Sequence, residues 1–262
     1  MMVSSRRKFI FYTGLGLLSA CTATTIQPQK SVSINLTISA AVSLKDALNA
    51  IATAYNSTEP NIKITYNFGA SGSLQQQIEQ GAPIDIFISA SPKQMQVLKT
   101  KNLLMENTEK PLVGNQMVLI IPQGKTGISS FAKLNSPDIN KIVIGEPGSV
   151  PAGQYAQEIL TNLGLYNFLS SKLVFANNVR QALTYVETGN VDAGIVYATD
   201  AKLSNKVTVV ATAYPDSHTQ IIYPIAILKN TKNPDAAKAF MQFIFQEKSQ
   251  KILESYGFNI IK

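Results

Sequence analysis

The sequence predicts an α/β protein with two lobes, helices on both faces of each sheet, and a ligand cleft between the lobes. Short strand-like apolar runs alternate with helical stripes along most of the chain. This order occurs twice, once from about residue 34 to 113 and again from about residue 142 to 200. Alternation of this kind predicts mixed, mainly parallel sheets.

Nine runs rich in apolar and β-branched residues predict the strands. They are residues 34–41, 62–68, 84–90, 117–121, 142–145, 173–176, 193–198, 207–211 and 222–228. The runs at 117–121 and 222–228 are predicted to lie near two chain crossings. Lobe 1 would then comprise residues 34–113 and 213–262, and lobe 2 residues 114–212.

Apolar residues spaced i, i+3, i+4 predict helices after several of these strands. The stripes are Leu44, Ala47, Leu48, Ile51, Ala52 and Tyr55; Ala156, Ile159, Leu160 and Leu163; and Val179, Ala182, Leu183 and Val186. A further pattern over residues 234–256 predicts two closing helices that pack back on the body.

Residues 1–20 have the pattern of an export signal. Arg6, Arg7 and Lys8 precede an apolar run that is too short for a bilayer core, which takes about 20 residues. The only cysteine, Cys21, follows small residues as in the lipoprotein box of bacteria, and residues 5–9 resemble a twin-arginine export motif. We expect a lipid on Cys21 and a flexible tether over residues 21–33. A buried core cysteine and an ordinary export route are the alternatives.

Composition excludes several classes of protein. Three of the 23 Lys and Arg residues lie in the signal, so the formal charge of +7 falls to +4 beyond it. No basic cluster follows residue 8, which argues against nucleic-acid binding. With Cys21 lipidated, no thiol remains for disulfides or cysteine metal sites. The sequence contains no P-loop, dinucleotide fingerprint or His/Cys metal cluster, so we expect no cofactor.

Four short turns place small or hydroxyl residues at the start of a predicted helix. They read Ala-Ala-Val-Ser-Leu at 40–44, Gly-Ala-Ser-Gly-Ser at 69–73, Val-Pro-Ala-Gly at 150–153 and Asn-Asn-Val-Arg at 177–180. Each follows a predicted strand, where ligands bind in open α/β sheets. A helix N-terminus offers free N–H groups and partial positive charge. Two turns from each lobe therefore predict an oxyanion receptor.

Each turn taken alone has a simpler interpretation. Ser43 is a good helix N-cap, and Ser71 fits an ordinary Gly-rich turn. Pro151 is common at a helix start, and Val179 can simply pack. Arg180 could raise the local potential or be a solvated helix-surface charge. Only the convergence of all four turns would make a site.

From about residue 36 to 258 the chain resembles the extracytoplasmic molybdate-binding proteins of ABC transporters. The segments that carry the resemblance are residues 39–44, 68–74, 81–90, 150–153, 179–180 and 194–197. The resemblance implies the type II periplasmic-binding-protein fold and a monomer. It also implies delivery of molybdate or tungstate to a membrane permease driven by an ATPase, with no catalysis.

The resemblance also implies a site made of neutral donors. Ser43 and Ser71 would each give a hydroxyl and an N–H, Ala152 and Val179 an N–H each, and Tyr197 its phenol. The metal would be held only as its oxyanion, with no protein ligand to the metal atom. Gly72 stands where some relatives carry a hydroxyl, which leaves open whether Ser71 or Ser73 faces the ligand.

Donor chemistry narrows the choice of anion. Hydrogen bonds to a charged group contribute roughly 1.5–3 kcal/mol each, so seven donors are compatible with micromolar or nanomolar binding. Phosphate carries a proton near neutral pH and would benefit from a carboxylate acceptor, which the turns lack. Asp46 fits the first turn of a helix, and Asp85 fits a structural role in a strand. Donor chemistry alone does not exclude sulfate as the ligand.

An exported serine hydrolase is the alternative from a different class. Gly69 to Ser73 resembles a nucleophile elbow, with serine in place of its second glycine. The only histidine, His218, lies in a Tyr-Pro-Asp-Ser-His-Thr context typical of a surface turn. A solvated loop histidine is the simpler interpretation, so we expect no enzyme activity.

Overall fold

The computed structural model describes residues 33–261, together with residues 1, 2 and 8. The predicted lipidation site Cys21 and most of the predicted signal and tether lie outside these residues. Residues 33–261 belong to one compact unit. None of the helices in the described part of the chain has the length and apolar character needed to cross a membrane.

In the described residues, eleven strands form two sheets. The strands are β1 (Ile34–Ala41), β2 (Ile62–Gly69), β3 (Ile86–Ile88), β4 (Lys110–Gly114), β5 (Met117–Pro122), β6 (Ile142–Gly145), β7 (Leu173–Ala176), β8 (Ala193–Tyr197), β9 (Val207–Thr212), β10 (Ile222–Ile227) and β11 (Asn259–Ile260). The first sheet has the order β11-β4-β10-β3-β1-β2, and the second has the order β7-β6-β8-β5-β9.

Nine α-helices accompany these strands in the described residues. They are α1 (Lys45–Asn56), α2 (Ser71–Glu79), α3 (Pro92–Thr100), α4 (Pro151–Asn162), α5 (Tyr166–Leu169), α6 (Val179–Glu187), α7 (Ala198–Lys202), α8 (Pro234–Ile244) and α9 (Glu247–Ser255). Short 3-10 turns precede or link several of them, including Val42–Leu44 directly before α1.

The chain passes from the first sheet to the second between β4 and β5, and it returns between β9 and β10. The first lobe is the part around the first sheet, and the second lobe is the part around the second sheet. The predicted two-lobed α/β architecture with mixed sheets is therefore present.

The expectation of mainly parallel sheets is wrong. Four of the nine strand pairings are parallel and five are antiparallel. The parallel pairs are those built by strand-helix-strand units. The antiparallel pairs all involve β5 or β10, the strands that follow a crossing, or the short strand β11, so the crossings reverse the strand direction.

The predicted helical stripes form much of the core. The α1 stripe buries Leu44, Leu48, Ile51 and Tyr55, and the α8 pattern buries Phe240 against the Tyr55 ring at 5.3 Å. Burial of such side chains contributes about 1.5–3 kcal/mol each, and this stabilises the helices that carry the site.

Strand register places the four singled-out turns at two sheet edges. Ala41 pairs with Gly69, so the turns after β1 and β2 lie side by side. Gly145 pairs with Ala176, which does the same for the turns after β6 and β7. Because β8 lies parallel to β6, its last residue, Tyr197, reaches the same edge of the second sheet.

Candidate functional site

The structure brings all five predicted site residues to one small cavity between the two lobes. Its volume is about 10 Å³. The lining residues are Ala41, Val42, Ser43, Gly69, Ala70, Ser71, Ala90, Val150, Pro151, Ala152, Val179 and Tyr197. None of these residues carries a charge. This volume lies far below the roughly 300 Å³ at which drug-sized ligand pockets begin, so the cavity has no room for an organic ligand of that size.

Both serine side chains line the cavity. Ser71 Oγ accepts the Ala90 N–H at 2.9 Å, and Ser43 Oγ lies 3.1 Å from the Tyr223 hydroxyl. Neither serine caps a helix with its side chain, so the capping interpretation of Ser43 is wrong. Ser71 lines the cavity and is fully buried, whereas Ser73 does not line it.

Each of the four predicted N–H donors lies in the first turn of a helix. Ser71 and Val179 are the first residues of α2 and α6, Ala152 is the second residue of α4, and Ser43 is the second residue of the 3-10 turn before α1. N–H groups at these positions have no carbonyl partner within their own helix. They are therefore free to donate to an anion, and the helix dipoles favour negative charge there.

The Tyr197 hydroxyl is the remaining donor. Its side chain is 1% exposed, and its oxygen has no hydrogen-bond partner among the described residues. Burial, helped by the nearby Tyr223 phenol, raises the pKa of Tyr197 well above its usual value. The hydroxyl therefore keeps its proton at neutral pH. A buried donor without a partner costs about 1–3 kcal/mol, a cost that a bound acceptor would remove.

The last residue of the Val-Pro-Ala-Gly turn, Gly153, must be a glycine for steric reasons. A Cβ atom at Gly153 would lie 2.0 Å from the carbonyl oxygen of Gly145, at the end of β6. Only glycine lets the first turn of α4 approach the strand this closely. This contact sets where the Ala152 N–H points.

The two lobes touch beside the cavity. The Gly72 N–H donates to the Ser149 carbonyl at 3.0 Å. Arg180 in α6 pairs with Asp46 in α1 at 2.7 Å, and its Nε donates to the buried carboxylate of Asp200. Arg180 is thus not a solvated helix-surface charge. These contacts were not predicted because each joins residues far apart in the chain.

The geometry gives no support to the hydrolase alternative. The Ser71 hydroxyl bonds to a backbone N–H, while His218 Nδ1 lies 2.7 Å from the Thr219 carbonyl and its ring packs on Tyr155. Asp85 holds the chain by accepting from the Thr37 N–H and from Thr231, which agrees with the structural role predicted for it. Within the described residues, no group of three His, Cys, Asp or Glu side chains is placed to hold a metal ion.

Residues 36–259 match the family model described as bacterial extracellular solute-binding protein. A relative from Haemophilus influenzae, the molybdate-binding protein ModA, is 40% identical over 234 residues, which cover 87% of this chain and 91% of the relative. The chain belongs to the ModA family of extracellular solute-binding proteins. It is accordingly a binding protein and not an enzyme.

Two further relatives share nearly the whole length of the chain. The Bacillus subtilis protein named "Putative ABC transporter substrate-binding lipoprotein YvgL" is 41% identical over 247 residues, 94% of each chain. A solved "substrate binding domain of putative molybdenum ABC transporter from Clostridium difficile" is 47% identical with a TM-score of 0.69, and it covers 88% of this ModA-family chain and all of its own. These matches confirm the predicted two-lobed fold and the predicted family.

Proposed function

We propose that this ModA-family protein binds molybdate, and tungstate as well, outside the cytoplasmic membrane and delivers it to an ABC importer. Ser43, Ser71, Ala152, Val179 and Tyr197 are the proposed ligands of the oxyanion. The observation that carries this proposal is a cavity between the lobes into which neutral N–H and O–H donors converge without any charged lining residue. The names of the ModA relatives support the choice of anion.

The donor set favours an anion without protons. The Ser71 oxygen already accepts the Ala90 N–H, so the Ser71 hydroxyl proton is what it offers to a ligand. No carboxylate lines the cavity to accept a proton from hydrogen phosphate. Sulfate satisfies the same donors and differs in size, and it is therefore the second candidate.

Binding and closure would be one event in this proposal. The lobes, residues 34–113 with 213–262 and residues 114–212, would close like other hinged binding proteins. Ser43 and Ser71 belong to the first lobe, and the other three ligands belong to the second. An anion that bridges both sets stabilises the closed form by its stronger binding to that form.

The proposed place of action is the outer face of a membrane. A lipid on Cys21 would hold the protein there, and residues 22–33 would allow it to reach the permease. The lipoprotein name of the Bacillus subtilis relative supports this anchor. Metabolic labelling of the expressing cells with a fatty acid tests it, because the label should disappear in Cys21→Ser.

A thermal-shift series with molybdate, tungstate, sulfate and phosphate tests the ligand. At a thousand times its Kd, a ligand adds about 4 kcal/mol of stability, which raises Tm by roughly 8–16 °C for a chain of this size. We expect large shifts with molybdate and tungstate only. A comparable shift with sulfate or phosphate would contradict the proposed ligand, and small-angle scattering without ligand-induced compaction would contradict closure.

A further inference from the structure

Behind Ser43 lies a buried chain of polar groups that does not line the cavity. The Tyr223 hydroxyl, on β10, lies 3.1 Å from Ser43 Oγ. It accepts a hydrogen bond from Asn115 Nδ2 at 3.2 Å. Asn115 lies at the first crossing between the lobes, and Tyr223 is fully buried. Neither residue was singled out by the sequence, and neither can touch an anion in the cavity.

The hydrogen-bond partners of Asn115 fix the direction of its hydrogen bond to Tyr223. Its Oδ1 accepts the Gln116 N–H at 2.8 Å, so its Nδ2 faces Tyr223 and also Thr199 Oγ1 at 2.9 Å. An amide nitrogen only donates. The Tyr223 oxygen therefore accepts from Asn115, and the Tyr223 proton is available for donation to Ser43 Oγ. With Tyr223 as the donor, the Ser43 hydroxyl proton stays available for another acceptor.

We propose that Asn115 and Tyr223 are positioning residues that hold the Ser43 hydroxyl as a donor toward the oxyanion. This inference rests on the proposed function and deepens it. With Tyr223 donating, the Ser43 proton points into the cavity, where only an unprotonated oxygen can receive it. Ser71 is held in the same way, because its Oγ accepts the Ala90 N–H. Both hydroxyls of the first lobe would then donate toward the cavity.

A double-mutant cycle on the whole protein tests the chain. Tyr223→Phe removes one hydroxyl and keeps the ring contacts with Tyr197 and Phe258. We expect it to raise the Kd for molybdate about tenfold, the size of one lost hydrogen bond to a charged group. In a Ser43→Ala background the same change should alter the Kd less than about twofold, because the hydroxyl through which Tyr223 acts is gone.

Asn115→Asp tests the direction of the hydrogen bonds. A carboxylate accepts the Tyr223 proton, so the Tyr223 oxygen takes the Ser43 proton away from the cavity. We expect a loss of affinity at least as large as that of Ser43→Ala. This loss should vanish in the Ser43→Ala background, whereas a loss caused only by the added negative charge would persist there.

Tyr55→Phe is the matched control. Tyr55 is a buried tyrosine of the same lobe, packed on Phe240 and Phe243 away from the cavity. It should leave the Kd unchanged. Equal losses from Tyr223→Phe in both backgrounds, or no loss in either, would overturn the positioning role alone. Failure of the wild-type protein and of Tyr55→Phe to bind molybdate would overturn the proposed function and this inference with it.

Discussion

Arg180 Nη2 lies 2.7 Å from Asp46 Oδ2, and this ion pair joins helix α6 of the second lobe to helix α1 of the first. Asp46 follows Ser43 by three residues, and Arg180 follows Val179 directly. The pair therefore links the two helix starts that carry two of the proposed ligands. Opening of the cleft would separate the pair, so the contact favours the closed form.

Asp46→Asn should make the cleft open more readily. The Asp46 side chain is 39% exposed, so the pair is partly screened and contributes about 0.2–1 kcal/mol. We expect molybdate to dissociate about two to five times faster, and we expect 0.5 M salt to remove most of the difference. Stopped-flow dissociation measures this directly. Asp235→Asn, an exposed first-turn carboxylate of α8, is the control and should change nothing.

Asp200 should make stability fall between about pH 4 and pH 6. Burial, opposed by the Arg180 charge, raises the pKa of Asp200 to about 6 from an ordinary value of 3.8. The folded state therefore holds this proton more tightly than the unfolded state. The contribution to the free energy of unfolding is largest below pH 4, and roughly 2–3 kcal/mol of it is lost by pH 7. In urea unfolding, Asp200→Asn should gain stability relative to wild type as pH rises.

Asp192→Asn is the matched control with the opposite sign. Burial raises the pKa of Asp192. Hydrogen bonds from Lys125 and from the Asn140 and Lys141 N–H groups lower it by more, so the net pKa lies below 3.8. Its stabilising contribution is present above that pH. Asp192→Asn should therefore lose stability relative to wild type as pH rises. Parallel pH trends for the two variants would contradict the assignment of Asp200.

Gly72 should be needed for full closure. A Cβ atom at Gly72 would lie 2.5 Å from the Ser149 carbonyl oxygen across the cleft, and backbone atoms cannot move aside easily. Such overpacking costs about 1–3 kcal/mol, so Gly72→Ala should weaken molybdate binding about 5- to 150-fold. The free energy of unfolding without ligand should change little. Calorimetric titration and urea unfolding separate the two effects.

Gly148→Ala is the control for this steric claim. It lies on the facing loop, and the nearest atom to its added Cβ would be Glu146 Oε1 at 3.5 Å. We expect wild-type affinity from this variant. If Gly72→Ala also bound molybdate as tightly as wild type, the lobes would not close on the Gly72 contact.

Tyr197→Phe should weaken binding without weakening the fold. The Tyr197 hydroxyl has no partner among the described residues, so its loss removes an unsatisfied buried group from the ligand-free protein. Tm without ligand should stay the same or rise. The Kd for molybdate should rise about 10- to 150-fold, the equivalent of one hydrogen bond to a charged group. A lower Tm with an unchanged Kd would show that the hydroxyl serves the fold.

Local patterns were enough to predict the strand-helix units of this chain. Runs such as 34–41, 142–145 and 173–176 match the observed strands residue for residue. The strand β4 was missed because it contains Pro111 and ends in glycine, so it lacks a strand pattern. The predicted strand direction was wrong because alternation of strands and helices indicates the strand-helix units. It does not indicate where the chain crosses between the lobes.

The candidate site was predictable only in part, for the same physical reason. Residues at helix starts, such as Ser43 and Val179, are visible as local turns, and the family resemblance named them as ligands. The partners that hold them come from distant segments. Tyr223 lies 180 residues beyond Ser43, and Arg180 lies 134 residues beyond Asp46. No local pattern reports such contacts, and only the folded chain shows them.

A crystal of the protein grown with molybdate, measured across the molybdenum absorption edge, is the most direct test of molybdate binding between the lobes. We expect one strong anomalous peak in the cavity between the lobes. The oxygens around that peak should lie within hydrogen-bond distance of the hydroxyls of Ser43, Ser71 and Tyr197 and of the N–H groups of Ala152 and Val179. A peak elsewhere on the protein, or an occupied cavity in which a lysine or arginine side chain contacts the anion, would contradict it.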